Sequence, residues 1–235
     1  MCIRDRFLFV FTRAAQNFSL DKPTKLQLFI EMMIDFINGV VKGTFKAAQN
    51  SLIAPMALTI FFWVLLMNVM DLVPVDLIPY PAELLGVPYL KVVPTTDLNL
   101  TAALALSVFV LYLFYSIKSK GFMGFIKSIS LHPFGPWMLP ANLFIEIIDL
   151  IAKPLSLALR LYGNLYAGEM IFLLIAGMVS INLTSFMGLG LNLAGITLSL
   201  IWAIFHILIV VLQAFIFMML TVVYMNMAHE KFEQH

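Results

Sequence analysis

The chain has 235 residues, of which 62% are hydrophobic and only 11% are charged, and its formal net charge is +1. Soluble domains carry about 45–50% apolar and about 25% charged residues, so much of the apolar surface here requires lipid as its solvent. The net charge gives no indication of nucleic-acid binding, and the single Cys2 excludes an internal disulfide. No metal-ligand or phosphate-binding motif is present, so we expect a membrane protein without a metal or a cofactor.

The first 23 residues have an unusual pattern. Residues 1–6 (MCIRDR) are charged, and the apolar run 7–11 that follows is too short to span a bilayer, which takes about 20 residues. The segment also lacks the small-residue cleavage site of a signal peptide. It is either an interfacial anchor or the end of a spanning helix whose beginning is missing, and we expect the second.

Residues 24–50 are predicted to form an amphipathic helix. Its polar side chains recur at steps of three and four residues, at Glu31, Asp35, Asn38, Lys42, Lys46 and Gln49. Such a helix lies along the membrane interface or packs on a helical bundle, and the pattern favours neither alternative.

Two ordinary spans follow, at 52–70 and 98–117, and neither contains a charged residue. The segment 71–96 between them is rich in proline, which is typical of a loop.

Two longer apolar segments, 137–182 and 189–229, complete the chain. A helix of about 40 residues extends about 60 Å, twice the hydrocarbon thickness of about 30 Å, so each helix must be strongly tilted or broken. The predicted fold is therefore all-α: a single polytopic membrane domain with an amphipathic cytoplasmic helix, two spans and a tilted C-terminal helical hairpin.

The basic residues predict the orientation. They cluster before the first complete span and after the second, at Arg13, Lys22, Lys25, Lys42, Lys46, Lys118, Lys120 and Lys127. The intervening loop holds only Lys91. Because basic loops stay in the cytoplasm, residues 12–50 and 118–136 are predicted to be cytoplasmic, the proline-rich loop external and the C-terminus cytoplasmic.

Arg160 is the most informative residue, because long apolar stretches flank it on both sides within 137–182. An arginine at mid-membrane costs at least about 2.5–3.5 kcal/mol and indicates a functional site, unless it lies near a helix end and snorkels to the interface. The residues that share its helical face are small, namely Ser156, Gly163, Asn164 and Ala167. Helix packing explains the small residues, but the permanent cation favours a partner surface that carries carboxylates.

Glu169 and His206 lie at matching depth toward the external side of the predicted hairpin, while Arg160 and Gln213 lie near its middle. A buried histidine alone is more often a packing residue. Its match in depth with Glu169 favours one half of a proton path that leads inward to Arg160.

Glu146 lies nearer the cytoplasm, nominally on the same helical face as Arg160, and suggests a second, inward-facing path. Pro154 intervenes, and a kink there would rotate the two halves of the helix against each other. Asp149 and Lys153, at i and i+4, are more simply interpreted as a local ion pair.

Three segments resemble F-type ATP synthase subunit a of the bacterial type. They are KPLSLALRLYGNLYAGE at 153–169, AIFHILIVVLQAF at 203–215 and LMNVMDLVP at 66–74. The resemblance implies that Arg160 is the essential stator arginine facing the c-ring, with Asn164 and Gln213 as its polar neighbours. By the same resemblance Glu169 and His206 line the external half-channel, and Glu146 matches a carboxylate near the cytoplasmic one.

The resemblance also implies a function. Members of this family carry protons to and from the carboxylates of the c-ring and so couple proton flow to rotation and ATP synthesis, without being catalytic by themselves. The implied partners are the c-ring, the subunit b stator, other ATP synthase subunits and the lipid bilayer, and the implied location is the bacterial inner membrane. His206 favours protons over sodium ions as the cargo.

Two other functions stay open at this point. A secondary transporter would use Arg160 to bind an anionic substrate, although such proteins usually contain paired repeats and none is visible here. A purely structural membrane subunit would tolerate the loss of Arg160 without any change in ion flux.

Overall fold

The computed structural model describes residues 9, 11–13, 16, 23–44, 52–72, 94–131, 136–179 and 186–229. From residue 23 onward these ranges contain six α-helices, which are α1 (Lys25–Thr44), α2 (Ile53–Val69), α3 (Leu98–Lys120), α4 (Phe122–Leu131), α5 (Leu139–Val179) and α6 (Phe186–His229). Short 3₁₀ turns lie at Met70–Leu72, Pro94–Thr96 and Pro136–Met138. The charged segment 1–6, the end of the predicted amphipathic helix and most of the proline-rich loop lie outside the described residues.

The two predicted spans correspond to α2 and α3. Asp97 caps the start of α3, where its Oδ1 accepts a hydrogen bond of 2.9 Å from the backbone N–H of Asn99. Helix α3 continues past the predicted end at 117 and stops at Gly121, whose φ of 73° is a conformation that favours glycine. This glycine turns the chain directly into α4.

Helix α4 was not predicted, because residues 118–136 were interpreted as a cytoplasmic loop. Residues 122–131 form one helix of ten residues with two distinct faces. Phe122, Met123 and Ile126 are exposed, whereas Phe125 and Ile129 on the other face are half-buried against the bundle. A helix this short contains too few turns for its apolar stripe to stand out from a loop in the sequence.

Helices α5 and α6 form the predicted C-terminal hairpin and are both unbroken. They contain 41 and 44 residues, and α5 runs through Pro154 without ending. At about 1.5 Å per residue they extend roughly 60–65 Å. Of the two alternatives, tilted or broken, a strong tilt remains, because neither helix is interrupted.

Helix α1 has features of both predicted positions of the amphipathic segment, packed on the bundle and lying along the membrane interface. It buries Ile30, Ile37 and Val41 against the bundle, and the rings of Phe36 and Phe215 on α6 lie 5.9 Å apart. Leu28 and Met32 point away from the bundle and are exposed. The helix therefore packs on its neighbours and also presents an apolar edge.

The core lies where α2, α3 and α5 surround the second half of α6. Its fully buried members include Ala57, Val64, Leu161, Val210, Ala214, Met218 and Val222. Many large apolar side chains point outward instead, among them Leu173, Leu174, Leu200 and Leu208. Within the described ranges, the segments Ile53–Leu72, Leu98–Lys120 and Gly188–His229 are long and apolar enough to cross a membrane, in agreement with the predicted polytopic fold.

Candidate functional site

Arg160 lies midway along α5 and is half-buried. Its backbone carbonyl accepts a hydrogen bond of 2.5 Å from Nε2 of Gln213 on α6. Over the ranges that the structure describes, its guanidinium has no hydrogen-bond or ion-pair partner. A cation held in an apolar helix without a counter-ion is costly, so this side chain is available to a group outside the described residues.

Gln213 joins the two helices of the hairpin at the level of Arg160. Its Oε1 accepts a hydrogen bond of 2.7 Å from Nδ2 of Asn164, while its amide nitrogen donates to the carbonyl of Arg160. The predicted neighbourhood of Arg160, Asn164 and Gln213 is thus present as one connected group, which we call the arginine site. The two bonds fix α5 against α6 at this depth and leave the guanidinium itself unengaged.

The helical face around Arg160 is open, as its small residues suggested. Ser156, Asn164 and Ala167 are exposed, and a Cβ atom added at Gly163 would meet no atom within 4 Å. A face that is both small and open allows another helix to approach closely. Among the described residues, therefore, none covers this face of the helix beside the arginine.

His206 makes a contact that the sequence did not suggest. Its Nε2 lies 2.7 Å from Oδ2 of Asp71, in the 3₁₀ turn that follows α2, and the two side chains are only 1% and 6% exposed. Asp71 is the first residue of segment 71–96, which the sequence predicts to be an external loop, although it also lies inside the segment 66–74 that carries part of the resemblance. The sequence feature that could have identified Asp71 is its position: it directly follows a charge-free span, where its carboxylate stays close to the bundle.

A glycine makes room for the histidine ring. A Cβ atom added at Gly168 on α5 would lie 2.6 Å from Nδ1 of His206, too close for any side chain. The carbonyl of Gly168 also accepts a hydrogen bond of 3.3 Å from Nε1 of Trp202, and the ring of Phe172 meets the His206 ring edge-on at 5.5 Å. These contacts hold the imidazole in one orientation toward Asp71.

Buried polar atoms of His206 and Asn68 have no hydrogen-bond partner within the described part of the chain. They are Nδ1 of His206 and both amide atoms of Asn68, which lies one helical turn before Asp71. Unpaired buried polar groups are rare and cost stability, so these atoms favour a functional role over packing. We call His206 and the two residues that contact its imidazole, Asp71 and Gly168, the histidine cluster.

Glu169 follows Gly168 directly and is half-buried. Since Gly168 touches His206, the matching depth of residues 169 and 206 that the hairpin predicted agrees with the packing of the two helices. The hydrogen-bond partner that the structure gives to Nε2 of His206 is nevertheless Asp71. A direct approach of the Glu169 carboxylate to the imidazole stays a prediction.

Toward the start of α5, Lys153 and Asp149 form the predicted ion pair, with Nζ and Oδ2 2.7 Å apart. Nζ also lies 5.1 Å from the centre of the Tyr112 ring on α3, a cation–π contact that helps to hold the lysine in place. Glu146 is half-buried two helical turns before Lys153 on the same helix. Its part in a second path stays a prediction.

The chemistry that these residues offer is the transfer of protons. In the described ranges, no group of three His, Cys, Asp or Glu side chains is placed to hold a metal ion. Asp71 and His206 are titratable groups in contact, and both can pass a proton, while arginine keeps its charge in proteins. Together they provide a proton-exchanging pair on one side of a fixed positive charge.

The chain is similar to known proteins along most of its length. The family described as ATP synthase A chain matches residues 2–226. A protein named ATP synthase subunit a, from Shewanella amazonensis, is 57% identical over 225 residues, which cover 95% of this chain and 83% of that protein. Proteins of the same name from Shewanella baltica and Shewanella oneidensis are each 56% identical over 225 residues, with the same coverage. The similarity therefore spans the helices that carry both the arginine site and the histidine cluster.

Proposed function

This chain belongs to the ATP synthase A chain family, and from that membership we propose that it is stator subunit a in the membrane sector of an F-type ATP synthase. It carries protons to and from the carboxylates of a rotating c-ring, and so couples proton flow to rotation and ATP synthesis. The subunit has no catalytic reaction of its own.

One observation supports this function above the others: Arg160, whose guanidinium has no hydrogen bond or ion pair among the described residues, lies on an open helical face of small side chains. A carboxylate of the c-ring that passes this face meets a fixed positive charge, which favours its ionised form. The carboxylate is thereby ready to take up a proton on one side of Arg160 after releasing one on the other. Arginine suits this task because it does not deprotonate in proteins and so cannot relay the proton itself.

The histidine cluster then serves the external half-channel. Protons reach Asp71 and His206, pass along the hairpin near Glu169, and are delivered to a ring carboxylate on that side of Arg160. The titratable pair is suited to this step because an imidazole can accept a proton on one nitrogen and release one from the other. A membrane potential supplies about 2.3 kcal/mol per charge per 100 mV for the transfer.

The cytoplasmic half-channel runs past Glu146, on the other side of Arg160. The C-terminus lies in the cytoplasm, the protein resides in the bacterial inner membrane, and the stator contacts include subunit b. Basic residues around α3 and α4 support this orientation, because such residues stay on the cytoplasmic side.

Disulfide crosslinking tests the partner directly. Cys2 is replaced by Ser, Ser156→Cys is introduced on the open face, and a single cysteine is placed next to the c-ring carboxylate. Oxidation of membranes that contain the assembled complex should give a crosslinked product. Phe114→Cys, which is exposed on the different helix α3, is the matched control and should give none. Crosslinking of Phe114→Cys, or a failure of Ser156→Cys in assembled complexes, would overturn the assignment of this face to the ring.

A further inference from the structure

The exposed edge of α4 is a surface that the proposed proton path does not use. Its exposed residues Phe122, Met123, Ile126 and Lys127 occur at i, i+1, i+4 and i+5, which is one side of a helix. The opposite side, which includes Gly124, Phe125 and Ser128, is half-buried against the bundle. Helix α4 therefore has a packed side and an apolar side that carries a lysine.

The position of this edge relative to a bilayer follows from its neighbours in the chain. Helix α3 is long and apolar enough to cross a membrane, and α4 begins directly after Gly121 turns the chain. Nδ2 of Asn142 on α5 donates a hydrogen bond of 3.3 Å to the carbonyl of Ser130, which ties the other end of α4 to the start of the hairpin. Since α4 is held where a span ends, its exposed edge lies at the level of the lipid headgroups.

The charges around the edge have one sign. Between Asp97 and Glu146 the sequence contains Lys118, Lys120 and Lys127 but no acidic residue. Lys118 and Lys127 are exposed, and Nζ of Lys118 lies 5.9 Å from the centre of the Phe114 ring, so that its stem follows the apolar surface of α3. This arrangement places ammonium groups beside apolar side chains, which suits a lipid with an anionic headgroup.

Trp137 supports the same location from the adjacent turn. It stands just before α5, and its side chain is 96% exposed. Tryptophan is enriched at membrane–water interfaces, where its ring sits among the headgroups.

We propose that Lys118 and Lys127, together with Phe122, Met123, Ile126 and Trp137, form a binding surface for acidic phospholipids of the leaflet against which α4 lies. The apolar side chains enter the boundary of the acyl chains, and the two lysines pair with the headgroup phosphate and its net negative charge. Each exposed lysine favours a singly charged acidic lipid over a neutral one by about fivefold. The surface anchors the junction between α3 and α5, and it is independent of the proton path proposed above.

The test uses the assembled complex reconstituted in vesicles, with Cys2→Ser and an environment-sensitive fluorophore attached at Met123→Cys. The bulk lipid is phosphatidylcholine, and a low, equal fraction of spin-labelled phosphatidylglycerol or spin-labelled phosphatidylcholine is added as quencher. Phosphatidylglycerol should quench the fluorophore at least about twofold more strongly, and high salt should remove the difference because it screens exposed charges.

Two variants make the result specific. In Lys118→Gln/Lys127→Gln, the two spin-labelled lipids should quench the fluorophore equally. Lys25→Gln/Lys42→Gln removes two exposed lysines from α1 and should keep the stronger quenching by phosphatidylglycerol. Equal quenching in the parent protein, or a preference that survives in Lys118→Gln/Lys127→Gln, would overturn the proposal. An absence of quenching by either lipid would do so as well, because it would show that another protein rather than lipid covers this edge.

Discussion

Nε2 of His206 lies 2.7 Å from Oδ2 of Asp71, a residue 135 positions earlier in the chain. The contact joins the end of α2 to α6, and both side chains are almost completely shielded. A carboxylate and an imidazole that share a buried site depend on each other, because each loses its principal partner when the other is removed.

We expect Asp71→Asn and His206→Ala each to lower ATP-driven proton pumping at least about tenfold, since a positioned proton-transfer group commonly contributes more than this. The double variant should pump no more slowly than the slower of the two single variants, because the two substitutions remove the same step. Acidification of inverted membrane vesicles, corrected for the amount of assembled complex, measures this. Independent, multiplicative losses would show that the two residues do not act as one unit.

Gly168→Ala should produce a loss similar to that of His206→Ala, because the new methyl group would occupy the space of the imidazole and push it away from Asp71. Gly177→Ala on the same helix is the matched control, since a Cβ atom there meets nothing within 4 Å. Alanine also favours a helix over glycine by about 0.5–1 kcal/mol, so neither variant should fail to fold for lack of helix propensity. Normal pumping by assembled Gly168→Ala complexes would contradict the role given to the orientation of the ring.

Arg160→Ala and Arg160→Lys should both abolish ATP synthesis and ATP-driven pumping. Lysine keeps a charge in water, but a desolvated lysine releases its proton more readily, and it lacks the planar fork that can follow a moving carboxylate. Arg160→Ala should in addition let protons leak through the membrane sector when ATP is absent, because nothing then separates the two half-channels. ATP synthesis driven by an imposed proton gradient is the readout.

Lys42→Gln, which removes an exposed cation from α1, serves as the control for loss of a positive charge and should leave synthesis unchanged. If assembled Arg160→Lys complexes synthesised ATP at the normal rate, the guanidinium would not have the proposed role.

Asn164→Ala and Gln213→Ala should cause only partial losses, of about two- to tenfold in the pumping rate. Their bonds are made between neutral groups and to a backbone carbonyl, and such bonds contribute about 0.5–1.5 kcal/mol each. The double variant should resemble Gln213→Ala, because Gln213 is the partner in both bonds. Complete inactivity of an assembled single variant would mean that these amides do more than position Arg160.

Cysteine labelling tests the orientation of the chain. In a Cys2→Ser background, Lys120→Cys and Lys127→Cys should react with an impermeant thiol reagent only from the cytoplasmic side, and Lys91→Cys only from the outside. The reason is the asymmetry of basic residues between the two short loops. Reversed labelling would exchange the external and cytoplasmic half-channels as well.

Charged and polar residues within apolar helices are the part of the candidate site that the sequence alone can single out. Arg160, Glu169, His206 and Gln213 each stand out, because an apolar segment otherwise has no reason to contain them. Their relative depth followed from the regular rise of two antiparallel helices. The hydrogen bond between Asn164 and Gln213 joins the two helices at that depth.

Asp71 and Gly168 could not be selected in the same way. A carboxylate at the end of a span next to prolines resembles an ordinary loop residue, and its burial arises only when α2 packs against α6. A glycine within a helix shows its importance only when the opposing side chain is in place. Helix α4 was missed for a related reason, since its two faces are defined by the bundle more than by its ten residues.

The unbroken length of α5 has a consequence for where protons enter and leave. Glu146 and Glu169 lie about 35 Å apart along the helix axis at about 1.5 Å per residue. A helix of this length fits a bilayer only by leaning far over, so roughly 25–30 Å of that distance runs in the plane of the membrane. The two carboxylates are thus separated at least as far sideways as in depth, so the two half-channel openings proposed beside them lie at different places in the membrane plane. A proton carrier between the two proposed openings has to move sideways within the membrane, which is the motion that the proposed rotating c-ring supplies.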